Sequence, residues 1–190
     1  MELLKIFRLK IGMAILSKKM ARTKRNVFYS NFSQVKTIGI VWDASKPEDF
    51  PGLSKFYRKM HERNIEVKIL GYYPENELPD QYTAIRYLSC IRKNEVNVFY
   101  HPFSYETNTF ISNRFDILID INFKKLLPLH YITSLSNAGF KVGLFDSGTD
   151  KTPFDLMMEI KKPVDIENYL DQVVLYLEMM NSGTVKIVDK

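Results

Sequence analysis

Phe115–Ser147, FDILIDINFKKLLPLHYITSLSNAGFKVGLFDS, is the stretch that decides the fold. Asp116–Asn122 is a short apolar run with acidic punctuation, the pattern of a buried strand. Leu126–Ala138 carries Leu127, Tyr131, Ile132 and Leu135 near helical spacing, and Gly139 predicts a left-handed exit from that helix. Phe140–Phe145 is apolar again and ends at Asp146. Strand, helix and strand within about thirty residues make a βαβ unit. Such units build parallel sheets covered by helices.

Working outward on the amino-terminal side, Thr37–Trp42 (TIGIVW) predicts a first strand rich in β-branched residues. Asp43 to Pro47 breaks it. Gly52 to Asn64 predicts a helix with Leu53, Phe56, Tyr57 and Met60 on its buried side, and Asn64 suits its exit. Glu66–Tyr72 predicts the second strand. Ala84–Ile91 fits a short helix or a strand, with Tyr87–Ile91 as strand preferred. Asn97–Tyr100 also reads as strand, and Thr107–Asn113 as a short crossing helix. On the carboxyl side, Phe154–Ile160 predicts an edge strand. Asp165–Asn181 predicts a helix with Ile166, Tyr169, Leu170, Val173, Val174, Leu177 and Met180 on its apolar face. The expectation is a single Rossmann-like α/β domain over 37–181, with a mostly parallel sheet of five or six strands. An amphipathic helix and linker precede it (1–36), and a tail follows (182–190).

The charge is unevenly spread. Residues 1–36 hold nine Lys or Arg and one acid, a net of +8, whereas residues 37–190 hold eighteen basic and twenty-one acidic residues, a net of −3. A basic arm on a slightly acidic body implies an acidic partner: an RNA-containing, ribosome-like assembly first, then an anionic membrane surface or an acidic protein face. The polyanion-binding candidates are Lys5, Arg8, Lys10, Lys18, Lys19, Arg22, Lys24 and Arg25. Within the arm, Ile6, Leu9, Met13, Leu16 and Met20 line one helical face, extended by Leu3. That stripe fits docking on the protein's own body, on a second copy, or in a membrane interface. Phe28, Tyr29 and Phe32 are interleaved among the polar and basic residues that follow. Aromatics so placed either stack on unpaired bases or pack on a neighbouring domain.

The single cysteine, Cys90, excludes an internal disulfide and fits a reducing compartment. No apolar run approaches the ~18 residues of a membrane span. The first residues, interrupted by Lys5, Arg8 and Lys10, lack the layout of a cleaved signal. The expectation is a cytoplasmic protein, with peripheral attachment to the inner membrane as an alternative.

In an open α/β sheet, ligands bind beyond the carboxyl ends of the strands, where the strand order reverses. The residues expected there are Asp43, Ser45 and Lys46, then Gly71 and Tyr72, then Asp120, Asn122 and Lys124, and finally Asp146, Ser147 and Gly148. Asp43 and Asp120 on neighbouring strands would share a proton or hold a divalent cation; the alternative is that Asp43 and Asp146 cap the turns that follow them. The loop after the first strand has no glycine before Gly52, so it is neither a dinucleotide fingerprint nor a phosphate-binding loop. No cofactor is expected. His61, His101 and His130 share no metal-ligand spacing, and His101 is the one histidine singled out for function. No serine sits in a nucleophile elbow.

The runs DILIDINFKKLLPLHYITSLSNAGFKVGLFD, TIGIVWDAS, ELPDQY and FDLMMEI together resemble a family of uncharacterised bacterial proteins with a basic N-terminal helix and an α/β domain. The match spans about residues 5–181, and it implies a fold but no activity. More distantly, Asp116–Asp146 is similar to the acceptor-side half of heptosyltransferase-type glycosyltransferases. That resemblance implies a transferase-like use of the strand ends, without a counterpart of the sugar-nucleotide half. Two functional readings result: a non-enzymatic binding or adaptor protein working through its arm, and a glycosyltransferase-like or nucleotide-binding enzyme working through the acidic strand-end cluster.

Overall fold

The computed structural model describes residues 2–29, 31–146, 152–159 and 165–180. Its organising strand is β1 (Thr37–Asp43), in which every side chain after Thr37 is buried. A strand covered on both faces belongs in the middle of a parallel sheet. β2 (Glu66–Tyr72) lies on one side of β1 and β4 (Ile117–Asp120) on the other. β3 (Leu88–Ile91) extends the sheet beyond β2, while β5 (Phe140–Leu144) and β6 (Leu156–Met158) extend it beyond β4. All pairings are parallel, and the order β3-β2-β1-β4-β5-β6 is that of the Rossmann-like fold, with its reversal between β1 and β4.

Alternation of side chains along β1 and β4 feeds two cores. Ile38, Ile40, Trp42, Ile117 and Ile119 face α2 (Phe50–Glu62) and α6 (Ile166–Met179), meeting Leu53, Phe56, Tyr169 and Val173. Val41, Leu70 and Leu118 face α4 (Tyr105–Ser112) and α5 (Leu127–Leu135), meeting Phe110, Leu129 and Ile132. α6 begins on a side-chain cap, Asp165 accepting from the Glu167 N–H, and α2 exits through Asn64 at φ 58°. A one-turn helix, α3 (Asp80–Thr83), precedes β3.

The preferred reading of Tyr87–Ile91 as strand holds, from Leu88. Other local expectations need correction. Asn97–Tyr100 is not a strand: the Asn97 carboxamide oxygen accepts from the Phe99 and His101 N–H groups, and Tyr100 takes φ 63°, so the segment closes into a turn. α5 stops at Leu135, and Gly139 is not a left-handed exit. Gly139 is needed for close approach instead, since a Cβ there would stand 3.0 Å from the Phe28 carbonyl oxygen. The tail beyond Met180 lies outside the described residues.

The first 36 residues are built onto the body. α1 (Glu2–Met20) packs against α5, with Leu16 buried among Leu127 and Tyr131 and with Leu9 and Met20 alongside. Of the expected stripe, Leu9, Leu16 and Met20 face α5, whereas Ile6 and Met13 remain exposed. The contact line runs through Gly12 and Leu16, because Gly12 lets the helix backbone approach the Phe99 carbonyl; a Cβ on Gly12 would lie 2.3 Å from that oxygen. Residues 21–29 and 31–36 then run along the amino ends of the strands as a strap. Arg25 donates to Asp155 through both terminal guanidinium nitrogens (2.8 and 2.6 Å) and to the carbonyls of Ala138 and Gly139. Phe28 N–H donates to Gly139 O, the Tyr29 hydroxyl donates to Leu177 O, and Phe32 is buried in the core.

Candidate functional site

The reversal point brings the ends of β1 and β4 together. Val41 registers with Asp120, so Asp43 lies two residues further along the neighbouring strand, on the same sheet face. Asp43, 2% exposed, folds its Oδ1 onto the next turn, accepting from Ser45 N–H (3.2 Å) and Ser45 Oγ–H (2.5 Å). This is the side-chain turn that Asp makes two residues ahead. Its Oδ2 is buried and makes no hydrogen bond; the Lys124 ammonium stands 3.5 Å away. Lys46 donates its backbone N–H to the Asp43 carbonyl. Asp49, in the same turn region, has its carboxyl raised above the usual range by burial, against the pull of Lys46.

Asp120, 5% exposed, is turned inward. Oδ1 accepts from Asn122 N–H (2.7 Å) and Oδ2 from the Thr133 hydroxyl of α5 (2.5 Å). Burial pushes its carboxyl up to about 6, and the two donors only partly counter this. Asn122 holds the loop before α5 by bonding both the N–H and the C=O of Leu126. Asp146 pairs with Lys125, whose backbone takes φ 55°. Ser147 and Gly148 lie outside the described residues. The rim therefore gathers three separate constellations: Asp43 with Ser45 and Lys124, Asp120 with Asn122 and Thr133, and Asp146 with Lys125. Among the described residues no group of three or more His, Cys, Asp or Glu is arranged to hold a metal ion.

Sequence reasoning missed Lys141. It registers with Leu118 in β5, on the face that carries Asp120, and is 2% exposed. Its ammonium donates to the carbonyls of Thr133 (2.7 Å) and Ser134 (3.1 Å) in the last turn of α5, where a cation meets the negative end of the helix dipole. Burial holds its pKa down to about 7. A lysine inside the apolar run FKVGL was the available signal.

The basic candidates divide by surroundings. Lys19 donates to the Tyr131 hydroxyl and approaches His101 Nε2 at 3.5 Å; His101 stacks on Tyr131, and burial with the nearby Lys19 lowers its pKa. Arg25 is tied to Asp155. Lys5, Lys10, Lys18, Arg22 and Lys24 are exposed, and Arg8 is half-buried. Cys90 is partly buried, and burial pushes its thiol up to about 12, so it is not a thiolate at neutral pH. At the opposite, amino end of the sheet, a cavity of about 640 Å³ opens between the strap and the starts of β4 and β5.

The model of a family of unknown function, DUF6913, matches residues 8–180. The chain belongs to this family. No curated protein matches it. Among solved structures it is similar to E. coli heptosyltransferase WaaC with ADP-2-deoxy-2-fluoro heptose, at 13% identity and a TM-score of 0.44. That match covers 79% of this chain and 50% of the other, so this DUF6913 chain spans half the length of the transferase. Among the described residues of this DUF6913 member no helix is long and apolar enough to cross a membrane.

Proposed function

We propose that this DUF6913 protein is a non-enzymatic binding protein whose basic amino-terminal helix attaches it to an acidic surface, and that the surface is anionic lipid. The observation that carries the reading is the exposed apolar set on α1. Leu3 (84% exposed), Leu4, Ile6, Phe7 (60%) and Met13 face solvent in a helix that already docks through a different side. Lys5, Arg8 and Lys10 are interleaved with them. Apolar side chains between cations suit the boundary of headgroups and acyl chains, where both kinds are accommodated. RNA offers phosphates to the cations but no apolar phase for Leu3, Leu4 and Ile6. The net +8 of residues 1–36 adds attraction to an anionic leaflet.

The test is co-sedimentation of the full chain with phosphatidylglycerol and with phosphatidylcholine vesicles, beside a single-stranded RNA control. Binding should be confined to the anionic vesicles and weaken as salt rises. Phe7→Asp should remove it while leaving the melting temperature unchanged. RNA binding that Phe7→Asp leaves intact, without vesicle binding, would overturn the lipid reading in favour of RNA. Binding to neither would overturn the role of the arm.

A further inference from the structure

We infer that the cavity at the amino end of the sheet is a binding site for a nucleotide unit, its phosphate held between Lys24 and Arg114 and its base laid on Phe28. The inference does not rest on the lipid reading, since none of these residues belongs to α1. Three cations line the cavity, Lys24, Arg25 and Arg114, against one carboxylate, Asp116. Arg25 is neutralised by Asp155. One oxygen of Asp116 is occupied by the N–H groups of Lys36 and Thr37 and by the Thr37 hydroxyl. Lys24 and Arg114 are exposed and have no ion-pair partner among the described residues, so the lining is electropositive. Asn26 and Asn137 also line it, and neither side chain makes a hydrogen bond among the described residues.

Phe28 is the second half of the site. Of the three strap aromatics, Tyr29 packs on Phe140 and bonds Leu177, and Phe32 is buried. Phe28 has its backbone pinned by Gly139 on one side and the Arg25 anchor on the other, yet the residue is 62% exposed and lines the cavity. A held backbone with a free ring is a preorganised platform, and a base stacks on such a face whatever its sequence. Cations alone would suit any anion. Cations, open amides and a flat apolar face within 640 Å³ suit a phosphate joined to a planar ring, and the volume lies in the range of small-ligand sites. The nucleotide has two possible sources, a free nucleotide or the end of a single strand.

The experiment is calorimetric titration of the full chain with UMP, AMP, inorganic phosphate and a five-residue oligouridylate. UMP and AMP should bind at least tenfold more tightly than phosphate. Arg114→Ala and Lys24→Ala should each weaken UMP about tenfold with unchanged melting temperature, and Phe28→Ala should erase the advantage over phosphate. Oligouridylate tighter than UMP identifies a strand as the source; equal or weaker binding identifies the free nucleotide. Phosphate binding as tightly as UMP, no binding at all, or indifference to both Arg114→Ala and Lys24→Ala would overturn the site. Phe7→Asp should leave every one of these titrations unchanged, which separates failure here from failure of the lipid reading.

Discussion

Asp120 and Lys141 are two charges buried on one face of the sheet, and their titrations act on stability with opposite signs. An unfolded aspartate loses its proton near pH 3.9. Folded Asp120 keeps its proton up to about 6, so the folded chain binds the extra proton between those values. Stability therefore falls as pH rises through that window and stays lowered above it. Lys141 is the reverse case: the unfolded lysine keeps its proton to above pH 10, while the folded one releases it near 7. Its cost is present in full below 7 and fades as pH rises toward 10. Asp120→Asn should raise stability at pH 7.5 by on the order of 2 kcal/mol, and the gain should vanish by pH 4. Denaturant unfolding across pH measures this; an Asn variant less stable than wild type at pH 7.5 would show that the Thr133 and Asn122 bonds outweigh desolvation. Asp120 was legible from a carboxylate inside ILIDI. Lys141 obeys the same rule in FKVGL, but its compensation was hidden, because the acceptors are carbonyls exposed by the end of α5.

For α1, the 3.6-residue pattern gave the helix and much of its docked face, Leu9, Leu16 and Met20, but not the centre of the contact at Gly12, which leaves Ile6 and Met13 exposed. A hydrophobic stripe counts side chains, and the centre of this contact is a residue without one. Gly12→Ala should bring a propensity gain of about 1 kcal/mol in an isolated helix. Here it should destabilise, because the new methyl meets a backbone carbonyl that has no rotamer to yield. The expected outcome is a lower melting temperature together with faster proteolysis of residues 1–20; an unchanged or raised melting temperature would mean that α1 is not seated at Phe99. The same blindness affected Gly139 and Asn97–Tyr100. In each, the conformation is set by a partner far along the chain or by a polar side chain bonding its own backbone, and neither leaves a periodic signal.

Across the whole molecule, the alternation of strands and helices was legible because parallel strands need crossovers; the place of β1 in the middle of the sheet comes from the structure, where it is buried on both faces. The strap was not legible: residues 21–36 read as a polar, basic linker, since their polar partners are main-chain carbonyls and two distant acids, Asp116 and Asp155. Arg25→Ala should cost about 3 kcal/mol or more, as removal of one member of a largely buried ion pair does. Asp155→Ala should cost a similar amount and the double variant less than the two together; strictly additive losses in equilibrium unfolding would show that the pair is not coupled. The strap also orders events in time. Arg25 waits for Asp155, 130 residues later, and Tyr29 for Leu177, 148 residues later. At about 5–20 residues per second of synthesis, Tyr29 precedes its acceptor by roughly 7–30 s. A segment made early is thus among the last to be locked, and its closure marks a chain that has been translated through Leu177.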